Sequence, residues 1–214
     1  MNKIIKDACI LFAITLIAGV LLGIVYDVTK TPIATQNEKA KQEAYKAVMA
    51  DAESFEEIEG INLADGPTAL YSSSEDFSAD EITEVVAGVK GGKIVGFVIT
   101  VVAGDGYAGD IKFSVGIKAD GTYTGTSLLS IGETAGLGMR AKTDPTFLGQ
   151  LEDKKVEQFN LVKDGTGSSA DDKVDAISGS TVTSKAIVKG VNAALAYYQN
   201  SLTNVKTVGG AQVE

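Results

Sequence analysis

The sequence predicts an α+β protein: a single N-terminal transmembrane helix and a stalk helix, followed by a compact domain of antiparallel sheet and helices. Three observations carry the prediction. Residues 8–26 contain no Lys, Arg, Asp or Glu. β-Branched runs between residues 82 and 131 are separated by glycine-bearing turns. The strands precede an amphipathic helix instead of alternating with helices, which argues against a parallel doubly wound sheet.

The uncharged run is long enough to cross a bilayer, since about 20 apolar residues at about 1.5 Å each span a hydrocarbon core of about 30 Å. A cleavable signal peptide is the competing reading. Its apolar region would be shorter, about 7–15 residues, and would end in a small-x-small cleavage site. Tyr26-Asp27-Val28-Thr29-Lys30 offers none. Lys3 and Lys6 precede the span and Asp27 follows it, with only Lys30 opposing, so the bias of cationic residues places the N-terminus in the cytoplasm. The chain is thus expected to be single-pass in the cell (inner) membrane, with its C-terminal domain extracytoplasmic.

Thr31-Pro32 reads as a helix start, with Thr31 as N-cap and Pro32 in the first turn. Ile33, Ala40, Ala44, Ala47 and Val48 recur at helical spacing, which predicts an amphipathic stalk helix over 32–50. Residues 51–79 are acidic and turn-rich, with Asp65-Gly66-Pro67 and Ser72-Ser73-Ser74, and predict an irregular connection. Strands are expected at 82–89 and 93–103 around Lys90-Gly91-Gly92, and at 112–118 and 122–131 around Ala119-Asp120-Gly121. Of the 24 glycines, 13 lie between Gly88 and Gly138; some serve turns, and glycine also lets backbone approach a ligand closely. A helix over 180–199 follows from Ile187, Val191, Ala194, Leu195 and Tyr198 on one face. The polar end suggests fraying. The expected division is a membrane anchor at 1–27, a stalk and connection at 28–79, a compact domain at 80–200 and a flexible tail at 201–214.

Composition narrows the chemistry. Hydrophobic residues at 44% and charged residues at 22% suit a chain that folds around a core. Lys+Arg is 19 against 28 Asp+Glu, a net charge of −9, which argues against nucleic acid as a partner because phosphates would be repelled. There is no His and only one Cys. That removes Ser-His-Asp and Cys-His catalysis, the common zinc sites, iron–sulfur ligation and internal disulfides. No metal site is expected, and redox work would need an organic cofactor. Cys9 lies inside the apolar span, where packing in lipid is its expected role. The adjacent pairs Asp171-Asp172 and Glu56-Glu57 point apart on any regular element and read as solvated surface.

The sharpest local signal is the hydroxyl-rich start of the last helix, Asp175 to Ser184. Ser178, Ser180 and Thr181 could cap the helix, with Gly179 supplying the turn. The same start is also a phosphate seat, because unpaired N–H groups and the helix dipole both favour an anion there. No P-loop pattern accompanies it.

Asp175-Ala176-Ile177-Ser178-Gly179-Ser180-Thr181 resembles the flavinylation motif Asp-x-x-Ser/Thr-Gly-Ala-Thr, with Ser180 at the alanine position. Gly106-Tyr107-Ala108-Gly109-Asp110-Ile111 resembles a Gly-Tyr-x-Gly-x-Ile segment of the same family. Glu133-Thr134-Ala135-Gly136-Leu137-Gly138 resembles its Glu-Thr-Pro-Gly-Leu-Gly segment, with Ala135 at the proline position. On these motifs the chain is similar to the FMN-binding family that includes RnfG proteins, the G subunits of Rnf complexes, and the C subunits of Na+-translocating NADH:quinone reductase. Rnf complexes are membrane-bound ferredoxin:NAD+ oxidoreductases coupled to Na+ or H+ transport. The N-terminal span and the chain length favour the RnfG proteins.

The resemblance implies a non-autonomous electron-transfer component of an ion-translocating complex, carrying FMN that a flavin transferase esterifies through its phosphate to Thr181. Ser178, Gly179, Ser180, Val182, Thr183 and Ser184 would surround the phosphate. Glu133, Thr134, Gly136, Leu137 and Gly138 would line the flavin ring. Asp175 is either a recognition residue for the transferase or a turn cap. Lys185 is read as solvated, and Met139 and Tyr107 as core packing, with contact to the cofactor as the alternative for each. Implied partners are the lipid bilayer, the flavinylated D subunit and the membrane A and E subunits with their iron–sulfur centre. The competing readings are a component like the quinone reductase's NqrC protein and a non-catalytic membrane-anchored interaction module in which the hydroxyl-rich helix start is only a cap.

Overall fold

The computed structural model describes residues 2–58, 63, 75–205, 207–208 and 211–213. Its contacts divide the chain into two units, Met1–Gln42 and Glu43–Glu214.

The described residues of the first unit are all helical. Helix α1, Asn2–Val48, runs without a break and continues into the second unit. The expected stop and restart at Thr31-Pro32 does not occur, and Pro32 lies inside the helix. Proline there removes one i→i−4 bond, whereas ending and restarting a helix would leave about four N–H and four C=O groups without helical partners. The smaller loss wins. From Ile10 through Val28 the large apolar side chains of α1 are all exposed, as a helix facing lipid requires.

The second unit begins at Glu43, well before the boundary near residue 80 expected from composition. Its centre is a mostly antiparallel sheet. Strands β1 (Ser54–Glu57), β2 (Asp80–Lys90), β3 (Lys93–Ala103), β4 (Ile111–Lys118) and β5 (Tyr123–Ser130) lie side by side in that order. Two short strands, β6 (Asn160–Val162) and β7 (Lys173–Asp175), form a separate parallel pair. The hairpin turns fall at Gly91-Gly92 and at Asp120-Gly121, where the glycines take positive φ. The tail is not frayed where it is described: β8 (Thr207–Val208) pairs with β9 (Ala211–Val213), and β9 runs parallel to the start of β3. β1 falls inside the segment expected to be irregular, and pairs from Ser54 opposite Val89 to Glu57 opposite Val86. The turns expected at Asp65-Gly66-Pro67 and Ser72-Ser73-Ser74 lie outside the described residues.

Between the sheet and the last helix come two short helices, α2 (Arg140–Thr143) and α3 (Pro145–Gly149). Asp144 caps α3 by accepting from the Thr146 N–H at 3.0 Å, with Pro145 in the first turn. Helix α4, Thr181–Tyr197, then covers one face of the sheet and ends in a single π turn, Tyr198–Leu202.

Both faces of β3 are buried. Phe97, Ile99 and Val101 join Phe113, Val115 and Ile117 of β4 and Ile187, Val191 and Leu195 of α4 in the main core. On the opposite face, Val98 and its cross-strand partner Val86 pack with Tyr45 and Val48 from the end of α1 and with Met49 just after it. Two of the clustered glycines serve this second layer and not a ligand. A Cβ on Gly116 would run into the Val48 carbonyl, and one on Gly96 would lie 2.6 Å from Met49 Cε.

Candidate functional site

The first turn of α4 offers unpaired backbone donors. The first intrahelical bond there is Ser184 N–H to the Ser180 carbonyl, at 3.0 Å, so the N–H groups of Thr181, Val182 and Thr183 precede the ladder. Ser180 occupies the N-cap, yet its side chain makes no capping bond, and its hydroxyl is buried without a hydrogen-bond partner. Ser184 instead donates to the Ser180 carbonyl at 2.9 Å and accepts from the Ile177 N–H at 2.9 Å, which fixes the turn preceding the helix. Gly179 stands in that turn at φ +78°. The helix start is therefore held in shape by Ser184, while its own N–H groups remain free for an anion and the buried Ser180 hydroxyl is left without a partner.

A pocket of about 500 Å³ opens at this helix start, within the range of about 300–1,000 Å³ typical of ligand sites. Gly179, Ser180, Thr181, Val182 and Thr183 form one wall. Glu133, Thr134, Leu137 and Gly138, from the turn between β5 and α2, form a second, and Tyr107 a third. The lining surface is mostly apolar, with Glu133, Thr134, Ser180, Thr181 and Thr183 as its polar residues.

Glu133 joins these walls. It is buried, accepts from Thr183 Oγ1 at 3.0 Å through Oε2, and accepts from the Ala108 N–H at 3.2 Å through Oε1. Gly138 packs directly onto that bridge. A Cβ there would lie 2.6 Å from Thr183 Oγ1 and 2.7 Å from both Glu133 Cβ and Glu133 Oε2. The glycine is needed for close approach of side chains, not for an unusual backbone angle.

Not all expected site residues meet here. Ser178 is exposed and lines a separate cavity of about 160 Å³ beside Arg140 and Ile177. Gly136 is exposed, at φ +75° in the 134–139 turn, with nothing within 4 Å of the place a Cβ would occupy. Asp175 ends β7 away from the pocket. Its Oδ2 accepts from the Gly167 N–H at 3.1 Å, and its backbone N–H donates to Gln150 Oε1 at 2.8 Å. Lys185 is exposed. Met139 is half-buried, outside the pocket lining.

Tyr107 corrects its core-packing expectation, since it is 72% exposed at the pocket wall. The signal was present in the sequence: glycines on either side, Gly106 and Gly109, leave little around Tyr107 to pack it inside. The backbone N–H of Ala108 had no sequence signal, because any residue supplies one. Among the described residues no cluster of metal-ligating side chains forms.

Residues 106–196 match the family model of an FMN-binding domain, and residues 1–48 match that of the RnfG N-terminal region. The G subunit of a Na+-translocating ferredoxin:NAD+ oxidoreductase complex from Acetobacterium woodii is 32% identical over 197 residues, covering 92% of each chain. The G subunit of a proton-translocating ferredoxin:NAD+ oxidoreductase complex from Clostridium ljungdahlii is 30% identical, covering 89% of this chain and 92% of the other. Among solved structures, Shewanella oneidensis NqrC is 25% identical, with a TM-score of 0.43 over 54% of this chain and 57% of that one.

Proposed function

The chain belongs to the RnfG family, the G subunits of ion-translocating ferredoxin:NAD+ oxidoreductases, and on that footing we propose that it is a membrane-anchored electron-transfer component of an Rnf complex carrying FMN as a phosphoester on Thr181. The observation that carries this reading is the helix start of α4, where unpaired N–H groups and an orphaned, buried Ser180 hydroxyl belong to residues that line an apolar pocket of about 500 Å³. A helix capped by its own hydroxyls would leave no such seat, so the interaction-module reading loses its main support.

The residues fit FMN. Thr181 is partly exposed at the pocket wall, where its hydroxyl is open to a transferase. The N–H groups of Val182 and Thr183 and the Ser180 hydroxyl would hold the phosphate, favoured by the helix dipole. Leu137, Val182 and Tyr107 would flank the ring, and the Glu133 carboxylate would set the local electrostatics. Bound FMN supplies one- and two-electron redox chemistry; the protein supplies position, a water-excluding wall and charge. Covalent attachment also suits a site outside the cytoplasm, from which a dissociating cofactor would be lost.

Electrons would pass between the complex's other flavin and metal carriers, with the D subunit and the A and E subunits as neighbours. The N-terminus would lie in the cytoplasm and the second unit outside it. Asp175 would be read by the transferase as part of the motif. The NqrC-like alternative fits less well, because RnfG-type relatives align along nearly the whole chain. The test is in-gel flavin fluorescence of the full chain coexpressed with a flavin transferase. The expected result is a fluorescent band that survives denaturation and is lost in Thr181→Val. A colourless chain, or rapid NADH oxidation by the chain alone, contradicts the reading.

A further inference from the structure

The segment linking β3 to β4, Gly104 to Asp110, supplies the Tyr107 wall of the pocket. With its side chain largely in solvent, Tyr107 is not held by core packing. Its position must come from the backbone on either side. One anchor is the bond from the Ala108 N–H to Glu133, which is tied in turn to Thr183 of α4. The other lies two residues before Tyr107. Lys189 Nζ, also on α4, donates to Asp105 Oδ2 at 2.7 Å.

Lys189 is itself fixed. Its side chain is only 12% exposed, and Nζ lies 3.5 Å from Oδ2 of Asp80, whose side chain is fully buried at the start of β2. A lysine ammonium on a four-carbon stem normally wanders; one held between two carboxylates does not. Asp80 therefore aims Lys189, and Lys189 holds Asp105. Tyr107 stands between two tethers that both lead to α4, at Thr183 and at Lys189, about 9 Å apart along the helix.

We propose that Lys189 is a positioning residue for the flavin pocket: through Asp105 it fixes the Gly104–Asp110 segment and so sets where Tyr107 stands against the bound ring. The inference rests on the FMN reading above for the identity of the ligand, but the tether itself does not. Lys189 acts through Asp105 and Tyr107 and need not touch the cofactor.

The experiment uses the full chain in detergent, in two arms. The first is amide hydrogen exchange in the flavin-free Thr181→Val background, which needs no cofactor. Asp105→Ala, at a half-exposed position, removes the acceptor and breaks the tether, while Lys189 keeps Asp80 as its partner. It is expected to speed exchange at Ala108 and its neighbours roughly three- to fivefold, the scale of a partly exposed ion pair. Lys189→Met leaves Asp80 buried without its ammonium and risks misfolding, so Lys189→Arg serves as the rescue and should keep exchange within about twofold of the parent. The second arm compares flavin-loaded wild type with Asp105→Ala. Visible circular dichroism and the flavin midpoint potential should both shift while the melting temperature changes little. Unchanged exchange in Asp105→Ala overturns the tether. Faster exchange with unchanged dichroism and potential overturns the positioning role. If wild type carries no flavin, the functional reading fails, and the exchange arm still decides the tether.

Discussion

Replacing Gly138 with alanine tests the geometry of the pocket floor without removing a polar group. The new methyl carbon would sit 2.6–2.7 Å from Thr183 Oγ1, Glu133 Cβ and Glu133 Oε2. None of these is the loose end of a surface side chain, because Glu133 and Thr183 are both buried and bonded to each other. Overpacking of this kind costs about 1–3 kcal/mol. Pushing the two apart would also leave a buried carboxylate oxygen short of a donor, about 1–2 kcal/mol more. The expected loss is about 2–5 kcal/mol, which for a unit of this size lowers the melting temperature by roughly 4–20 °C. Two alanine variants from the same turn calibrate it. Gly132 has nothing within 4 Å of its would-be Cβ, so Gly132→Ala should fall within about 0.5 kcal/mol of wild type. Gly136 has open space but φ +75°, so Gly136→Ala should cost about 1 kcal/mol from backbone strain alone. The assay is thermal unfolding of the purified full chain followed by circular dichroism. A Gly138→Ala protein that melts with Gly132→Ala would refute the proposed packing.

Other outcomes follow from the same structure. Burial raises the Asp80 carboxyl to about 6 from its usual 3.8, with Asp105 and Glu75 adding to the shift and Lys189 opposing it. Because the folded value exceeds the unfolded one, the folded state binds more protons between pH about 4 and 6, and stability falls as pH rises through that window. The full loss above it is about 3 kcal/mol at most, at 1.36 kcal/mol per unit; Asp80→Asn should flatten this slope in unfolding curves taken from pH 4 to 7, and an unchanged slope would assign it to other groups. Ending the chain after Val205 removes β8 and β9 with the buried Val208 and Ala211. That should cost about 2 kcal/mol in denaturant unfolding, whereas a frayed tail would cost nothing.

The sequence was readable where local signals and tertiary demands agreed. β2 to β5 emerged because β-branched alternation was punctuated by Gly91-Gly92 and Asp120-Gly121, whose turn geometry needs no distant partner. Helix α4 emerged because one face carries Ile187, Val191, Ala194 and Leu195. β1 was not readable, since Ser-Phe-Glu-Glu has no strand propensity and forms only because β2 offers an edge; its charges suit such a position. β6 and β7 are too short to leave a period, and β9 depends on a parallel pairing with Lys93 and Ile94, over a hundred residues away. At the pocket, the motif residues of the 133–138 turn and the α4 start could be singled out from the chain. The bond of Glu133 to Thr183, fifty residues on, the orphaned Ser180 hydroxyl and the Lys189 tether could not, because each depends on how distant segments meet. Pro32 misled for the opposite reason: its local preference was real, and the continuity of α1 outweighed it.

The proposed phosphoester is a single covalent bond, and peptide mass mapping of the full chain coexpressed with a flavin transferase locates it. The expected result is a mass increase of FMN less one water on the peptide containing Thr181, absent in Thr181→Val and unaffected by Gly132→Ala. An adduct that persists in Thr181→Val, or that maps to Thr183, contradicts it.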